Sequence, residues 1–316
     1  MNVVRLLAKR VALGLFAAWA VLTIVFAAFT LTDDWVKAAL EGQLRFAGIT
    51  GEELERRMAA YMASRGLDRP VHEQYLDWMG NMLTFQWGNS LVTGEPVLPL
   101  VAGAVERTAV YVAPAIVLGV VLGTAIGLYA AVDPDGRLAN FGRGTAYLLF
   151  AVPGFWIGGM AVSLVNGGVV SRPDLLFDHV LPVALTTMTL LGGYVSYSRA
   201  HAMEYTSASF VTLVKAKGAS PLRVTRHIVR NAAIPLFSML FTEALALLVL
   251  AVFVIEVLFG IEGFGLLYLE AIQMRDIPVV LGGTMVVVAL GVVGNVVQDL
   301  SYGYLDPRVE TGRRRT

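Results

Sequence analysis

The sequence predicts an all-α, polytopic membrane protein with six transmembrane helices. Three observations lead there. The 316-residue chain is 56% hydrophobic with a mean hydropathy of +0.67, above the roughly 45–50% apolar content of soluble domains. Six apolar runs, at 11–31, 109–131, 144–165, 181–198, 235–258 and 279–303, approach or exceed the roughly 20 residues a helix needs to cross a bilayer. The alternating period of a membrane strand is absent, and a backbone in lipid must satisfy its own hydrogen bonds, which leaves helices.

The first run follows Arg5, Lys9 and Arg10. A cleaved signal peptide shares that pattern, but the length of the run is that of a retained helix. With the N-terminus in the cytoplasm, the cytoplasmic segments are 1–10, 132–143, 199–234 and 304–316, and they hold 15 of the 24 basic residues. Seven of the other nine lie in the long segment 32–108, where charge has little influence on orientation, so the short external loops keep only Arg172 and Arg275. Acids follow the opposite trend: five inside, sixteen outside, and Glu243, Glu256 and Asp299 within apolar runs. Both termini are therefore expected in the cytoplasm. The chain divides into a cytoplasmic N-terminus with the first membrane helix (1–31), an external helical segment (32–108), a five-helix core (109–303) with the cytoplasmic loop 199–234, and a basic tail (304–316).

Within the external segment, Thr50 and Glu53 have capping-box spacing before "EELERRMAAYMASR", which Gly66 can end. Pro70 suits the first turn of a further helix whose apolar stripe is Val71, Tyr75, Trp78, Met79 and Met82. That stripe is suited to packing on the outer end of the bundle or to seating an external protein. In the second membrane helix Gly119, Gly123 and Gly127 stand four apart, a small-xxx-small pattern that permits close backbone approach. Pro114 and Pro153 are expected to interrupt the second and third helices.

Between the fourth and fifth helices, "VTLVKAKGASPLRVTRHIVRNAAIP" (211–235) holds six basic residues, counting His227, and no acid. Residues 210–217 can form a short helix ending at Gly218, and Ser220 and Pro221 have the chemistry to start a second. At 100° per residue Arg223, Arg226, His227 and Arg230 fall on one stripe, with Leu222, Thr225, Ile228 and Val229 on the other side. Such a basic face suits lipid phosphates or a cytoplasmic protein equally.

The longer string "FVTLVKAKGASPLRVTRHIVRNAAIP" (210–235) resembles the cytoplasmic loop of permease subunits in binding-protein-dependent ABC importers, in the branch that carries dipeptides, oligopeptides and nickel. Other blocks agree in order: "RGLDRPVHEQYLDWMGNMLTFQWGNSLVTGEPV" (65–97), "AVPGFWIGG" (151–159), "FVIEVLFGIEGFGLLYLEAIQMRDIPVV" (253–280) and "LDPRV" (305–309). The likeness covers residues 65 to 309. Two stretches differ from the family pattern: Thr212, Leu213 and Val214 stand in place of Glu-Ala-Ala, and Ser209-Phe210 in place of Asp-Tyr. "LTDDWVKAAL" also replaces the family's Pro-Gly-Asp-Pro after the first helix. The resemblance implies a type I ABC importer permease fold. It makes Lys215, Ala216, Lys217, Gly218, Ala219, Ser220 and Pro221 the coupling loop that sits in a cleft of an ATPase subunit. It also implies two ATP-binding cassette subunits, a second permease subunit and an external solute-binding protein as partners, beside membrane lipid.

Charges at membrane depth cost at least ~2.5 kcal/mol at a helix centre, so each needs an account. Glu243 and Glu256 are thirteen residues apart on one helix, a rotation of about 220°, and do not form a carboxylate pair. Glu243 suits a pathway role or an interhelical hydrogen bond. Glu256, near the outer end, is expected to meet water or to cap the loop "FGIEGFG". Asn295 and Asp299, four apart on the last helix, suit structural pairing.

No G-x-x-x-x-G-K-[ST] string occurs, so ATP hydrolysis is expected on partner chains. Cysteine is absent, the four histidines lack ligand spacing, and "HEQYL" (72–76) has no second histidine. No metal, cofactor or nucleic-acid partner is expected. The competing classes are a secondary transporter or channel, which would carry internal repeats that this chain does not show, and a membrane enzyme, for which no reactive cluster converges.

Overall fold

A computed structural model describes residues 3–31, 35–64, 66–229 and 252–305. These residues form helices joined by turns and loops, with no strand among them beyond an isolated bridge pairing Asn89 with Pro96. Among the described residues, four helices are long and apolar enough to cross a membrane by themselves: Val11–Ala28 within α1 (Val3–Leu31), α5 (Val97–Val132), Leu175–Thr206, which enters through a π-helical turn Leu175–Val180 into α8 (Leu181–Thr206), and Ile277–Val297 within α12 (Ile277–Leu305). Two more spans are broken. Helix α6 (Arg137–Ala151) meets α7 (Gly154–Asn166) at 70°, and the helical segment Val252–Phe259 turns by 88° into α11 (Phe264–Gln273). Most of the apolar run 235–258, Glu243 and Arg230 lie outside the described residues.

The parallel pair α5 and α8 forms the spine. A Cβ added at Gly119 would lie 3.0 Å from Leu190 Cβ, one at Gly123 would overlap Tyr194, and one at Gly127 would lie 2.5 Å from the Val195 carbonyl and 2.8 Å from Ser198 Cβ. The glycine stripe thus lets two backbones of the same chain touch. In lipid, where apolar burial gives little driving force, such van der Waals contact holds helices together. Pro153 breaks the third span as expected. Pro114 does not break the second: it lies inside the continuous α5, which starts at Val97, ahead of the apolar run.

At the end where α5 and α8 begin, α4 (Val71–Leu83) packs on α1. Tyr75 Oη and Thr23 Oγ1 share a hydrogen bond of 2.8 Å, and the Phe26 ring lies 5.3 Å from both Tyr75 and Trp78. Met82, Trp87, Val97, Val101, Ala271, Val279 and Leu281 form one buried cluster there. So the apolar stripe of α4 is used for packing on the bundle, although Val71 stays exposed.

Two short helices precede α4: α2 (Trp35–Phe46) and α3 (Glu52–Ser64). The capping box does not form. Gly51, at φ 63°, starts α3 one residue later than Thr50 spacing requires, and Glu53 pairs with Arg57 (2.8 Å) and Arg56 instead. The Arg57 hydrogen bond, helped by the nearby Arg56 and Arg57 charges, holds the Glu53 carboxyl below its usual range. Gly66, at φ 64°, ends α3 as expected, with the Leu67 N–H reaching the Met62 carbonyl (2.9 Å).

Candidate functional site

The basic stretch folds as a helical hairpin at the end where α5 and α8 finish. Helix α9 (Ser209–Ala216) closes on Gly218, which adopts φ 73°. The Gly218 N–H reaches the Lys215 carbonyl (2.9 Å) and the Ala219 N–H reaches the Val214 carbonyl (3.3 Å), the closure that a left-handed residue permits. The chain then re-enters a helix, α10, over residues 221–229. Its first bond runs from the Val224 N–H to the Ser220 carbonyl (3.1 Å).

One side of the hairpin is seated on the bundle. Val211, Val224 and Ile228 are buried against Leu128, Ala131 and Val132 of α5 and Ala202 of α8. The other side is open: Lys215, Ala216, Lys217, Gly218, Ser220, Pro221, Arg223, Arg226 and His227 are exposed, and Ala219 is half-buried. A Cβ built on Gly218 meets nothing within 4 Å. Of the residues that periodicity places on the side away from the bases, Leu222 and Val229 are exposed, Leu222 by 71%. Among the described residues of α10 the seated stripe is Val224, Thr225 and Ile228, while its first turn, Pro221 to Arg223, is exposed. Leu213 is also exposed, by 57%, so apolar side chains flank the turn among the bases.

The opposite end is built around two buried carboxylates. Glu256 is fully buried. Its Oε1 accepts from Thr108 Oγ1 (2.5 Å) and Tyr111 Oη (3.2 Å) of α5, and its Oε2 accepts from the Leu266 N–H (2.9 Å). The Gly265 N–H donates to the same carboxylate, and the Phe264 N–H donates to Thr108 Oγ1 (2.7 Å). The first amides of α11 therefore point at a carboxylate and a hydroxyl, which satisfies donors that a helix N-terminus leaves free. Glu256 caps the loop "FGIEGFG", as one expectation held, and it does not meet water. Gly263 is needed for this contact, since a Cβ there would overlap the Glu256 carboxylate.

Asp276, just after α11, is the second. It accepts from Ser90 Oγ, from the Leu91 N–H (3.1 Å) and from the Val92 N–H (3.4 Å). Ser90 Oγ in turn accepts from the Thr93 N–H (2.9 Å). Helix α11 is thus fastened at both ends, to α5 and to the loop after α4. Sequence reading missed Asp276, Ser90, Thr108 and Tyr111. Asn295 is exposed, and the side chain of Asp299 lies outside the described residues, as do Glu243 and Arg230. Among the described residues no three His, Asp or Glu side chains group to hold a metal.

The sequence matches the family described as binding-protein-dependent transport system inner membrane component over residues 123–311. A putative peptide permease protein of Brucella ovis is 30% identical, with 81% of this chain and 85% of that protein covered. The oligopeptide transport system permease protein AppB of Bacillus subtilis is 27% identical, over 79% and 84% of the two chains. The metal-staphylopine import system permease protein CntB of Staphylococcus aureus is 26% identical, over 79% and 81%.

Proposed function

Because this chain belongs to the family of binding-protein-dependent transport system inner membrane components, we propose that it is a permease subunit that forms half of the pathway through an ATP-driven peptide importer. Its multiple apolar spans suit that place in the membrane. The observation that carries the coupling role is the hairpin α9–Gly218–α10, seated on α5 and α8 by one face and presenting a basic, partly apolar face on the other. In this reading the open face, Lys215 to Pro221 with Arg223, Arg226 and His227, docks on an ATP-binding cassette subunit. Two such subunits, a second permease and an external solute-binding protein complete the assembly. ATP-driven closure of the cassettes would move the hairpins and, through the rigid α5–α8 pair, alternate the access of the pathway. The hairpin end and both termini are then cytoplasmic, and α4 and α11 lie outside. Peptides are the cargo class because relatives at this level of identity are named peptide, dipeptide and oligopeptide permeases. The metal-staphylopine relative extends the class to small metal-binding solutes.

The test is Gly218→Asp. A β-carbon at φ 73° costs about 1 kcal/mol or more, and the side chain then projects from the open face. The variant should insert normally while losing co-purification of the ATPase subunits and transport. Arg226→Glu should weaken assembly too if the basic stripe docks on protein, and should leave it intact if the stripe meets only lipid phosphate. Wild-type co-purification and transport for Gly218→Asp would refute the coupling role.

A further inference from the structure

The α2–α3 hairpin is amphipathic as a unit, and its apolar side is open. Helix α2 packs against α3, with Val36, Leu40 and Leu44 half-buried. On the opposite side of α2, at 100° per residue, Ala39, Gly42 and Phe46 share one face, and all three are exposed, Phe46 by 96%. Trp35 occupies the same register at the start of the helix. Helix α3 buries Leu54, half-buries Met58, Tyr61 and Met62, and exposes Glu52, Glu55, Arg56 and Arg57. The layers therefore run from the charged surface of α3, through the α2–α3 contact, to an apolar face on α2.

The position of that face identifies its occupant. Only 6% of the α1 span Val11–Ala28 is buried inside the chain, so most of its surface is left to lipid or to a partner chain, and Leu31 at its end is 87% exposed. Residues 32–34 alone separate α1 from α2, a link that reaches at most about 14 Å. The amphipathic α2 therefore starts within that reach of the end of a membrane span, at the membrane boundary. We propose that α2 lies in the headgroup region of the leaflet where α1 ends, with Ala39, Gly42 and Phe46 toward the acyl chains and α3 toward water. A helix apolar on one flank beside a span is suited to that plane. The reading requires only that α1 cross the bilayer; it is independent of the cargo and of the coupling hairpin.

The chain has no cysteine, so single-cysteine variants report without background. Ala39→Cys and Gly42→Cys sample the proposed lipid face, and a Cβ at Gly42 meets nothing within 4 Å. Glu55→Cys and Arg56→Cys sample the outer face of α3. Each is labelled with an environment-sensitive fluorophore in the full complex, reconstituted in phosphatidylcholine–phosphatidylglycerol vesicles carrying a nitroxide lipid. Quenching by the nitroxide lipid should be at least about twofold stronger at 39 and 42 than at 55 and 56, and quenching by aqueous iodide should show the reverse order. Equal lipid quenching at all four positions would overturn the proposal. So would strong iodide quenching at 39 and 42 that disappears on adding the solute-binding protein, since the face would then dock a protein. ATPase co-purification should be wild type in all four variants, which keeps this outcome separate from the fate of the coupling hairpin.

Discussion

Replacing Glu256 by alanine should loosen α11 from the bundle. The carboxylate is fully buried and accepts from Thr108 Oγ1, Tyr111 Oη and the amides of Gly265 and Leu266. Each buried donor left without an acceptor costs about 1–3 kcal/mol. Water entering the vacated space restores part of that, so the total falls at roughly 3–5 kcal/mol. Glu256→Gln keeps one acceptor oxygen and should cost about 1–2 kcal/mol. The structure also supplies a cycle. A Cβ at Gly263 would overlap the Glu256 carboxylate and lie 2.6 Å from Thr108 Oγ1. Gly263→Ala should therefore be costly in the wild-type background and much less so beside Glu256→Ala, with a coupling of about 0.5–3 kcal/mol. The assay is denaturing-detergent titration of the purified protein in mild detergent, followed by tryptophan fluorescence. A Glu256→Ala variant within about 0.5 kcal/mol of wild type, or a Gly263→Ala cost unchanged between backgrounds, would refute the clamp.

At the α5–α8 crossing, Gly127→Ala should destabilise by about 1–3 kcal/mol, because the new carbon meets the Val195 carbonyl and the Arg199 amide, neither of which can rotate away. Gly144→Ala, where a Cβ meets nothing within 4 Å, should be neutral or mildly stabilising in the same thermal melt. Asp276→Asn keeps the shape but weakens the acceptor for the Leu91 and Val92 amides; hydrogen exchange there should speed up by roughly tenfold, while exchange at Gly265 and Leu266 should not change. For topology, cysteines at Ala60 and Arg314 should react with a membrane-impermeant maleimide from opposite sides, position 60 from outside. Reaction of both from one side would exclude the six-span arrangement.

Features legible in the sequence are those whose cause is local. Apolar runs mark spans because length against bilayer thickness is a property of the segment. Pro153 breaks a helix through its own ring, Gly66 and Gly218 end helices through their own φ, and the four-residue spacing of Gly119, Gly123 and Gly127 puts a bare stripe on one face wherever the helix packs. Pro114 shows the limit: the same residue type stays inside a continuous helix when the rest of that helix is held by its neighbour.

The rest needed the folded chain. Asp276 stands 186 residues from Ser90, and Glu256 stands 148 from Thr108. Nothing in either segment announces its partner, because hydrogen-bond geometry depends on where the helices place both groups in space. The same holds for the α9–α10 hairpin. Periodicity separated the bases from the apolar residues but could not say which apolar residues the bundle reaches, and Leu222 ends up outside while Val224 and Ile228 are buried against α5 and α8. By itself the sequence determined the helical class, the broken third span, the charge asymmetry and the turn at Gly218, each set by residues within one or two turns of one another. Tertiary structure alone decided that α11 is fastened by two carboxylates and which side of the hairpin is left open, because burial is a relation between surfaces that only packing brings together.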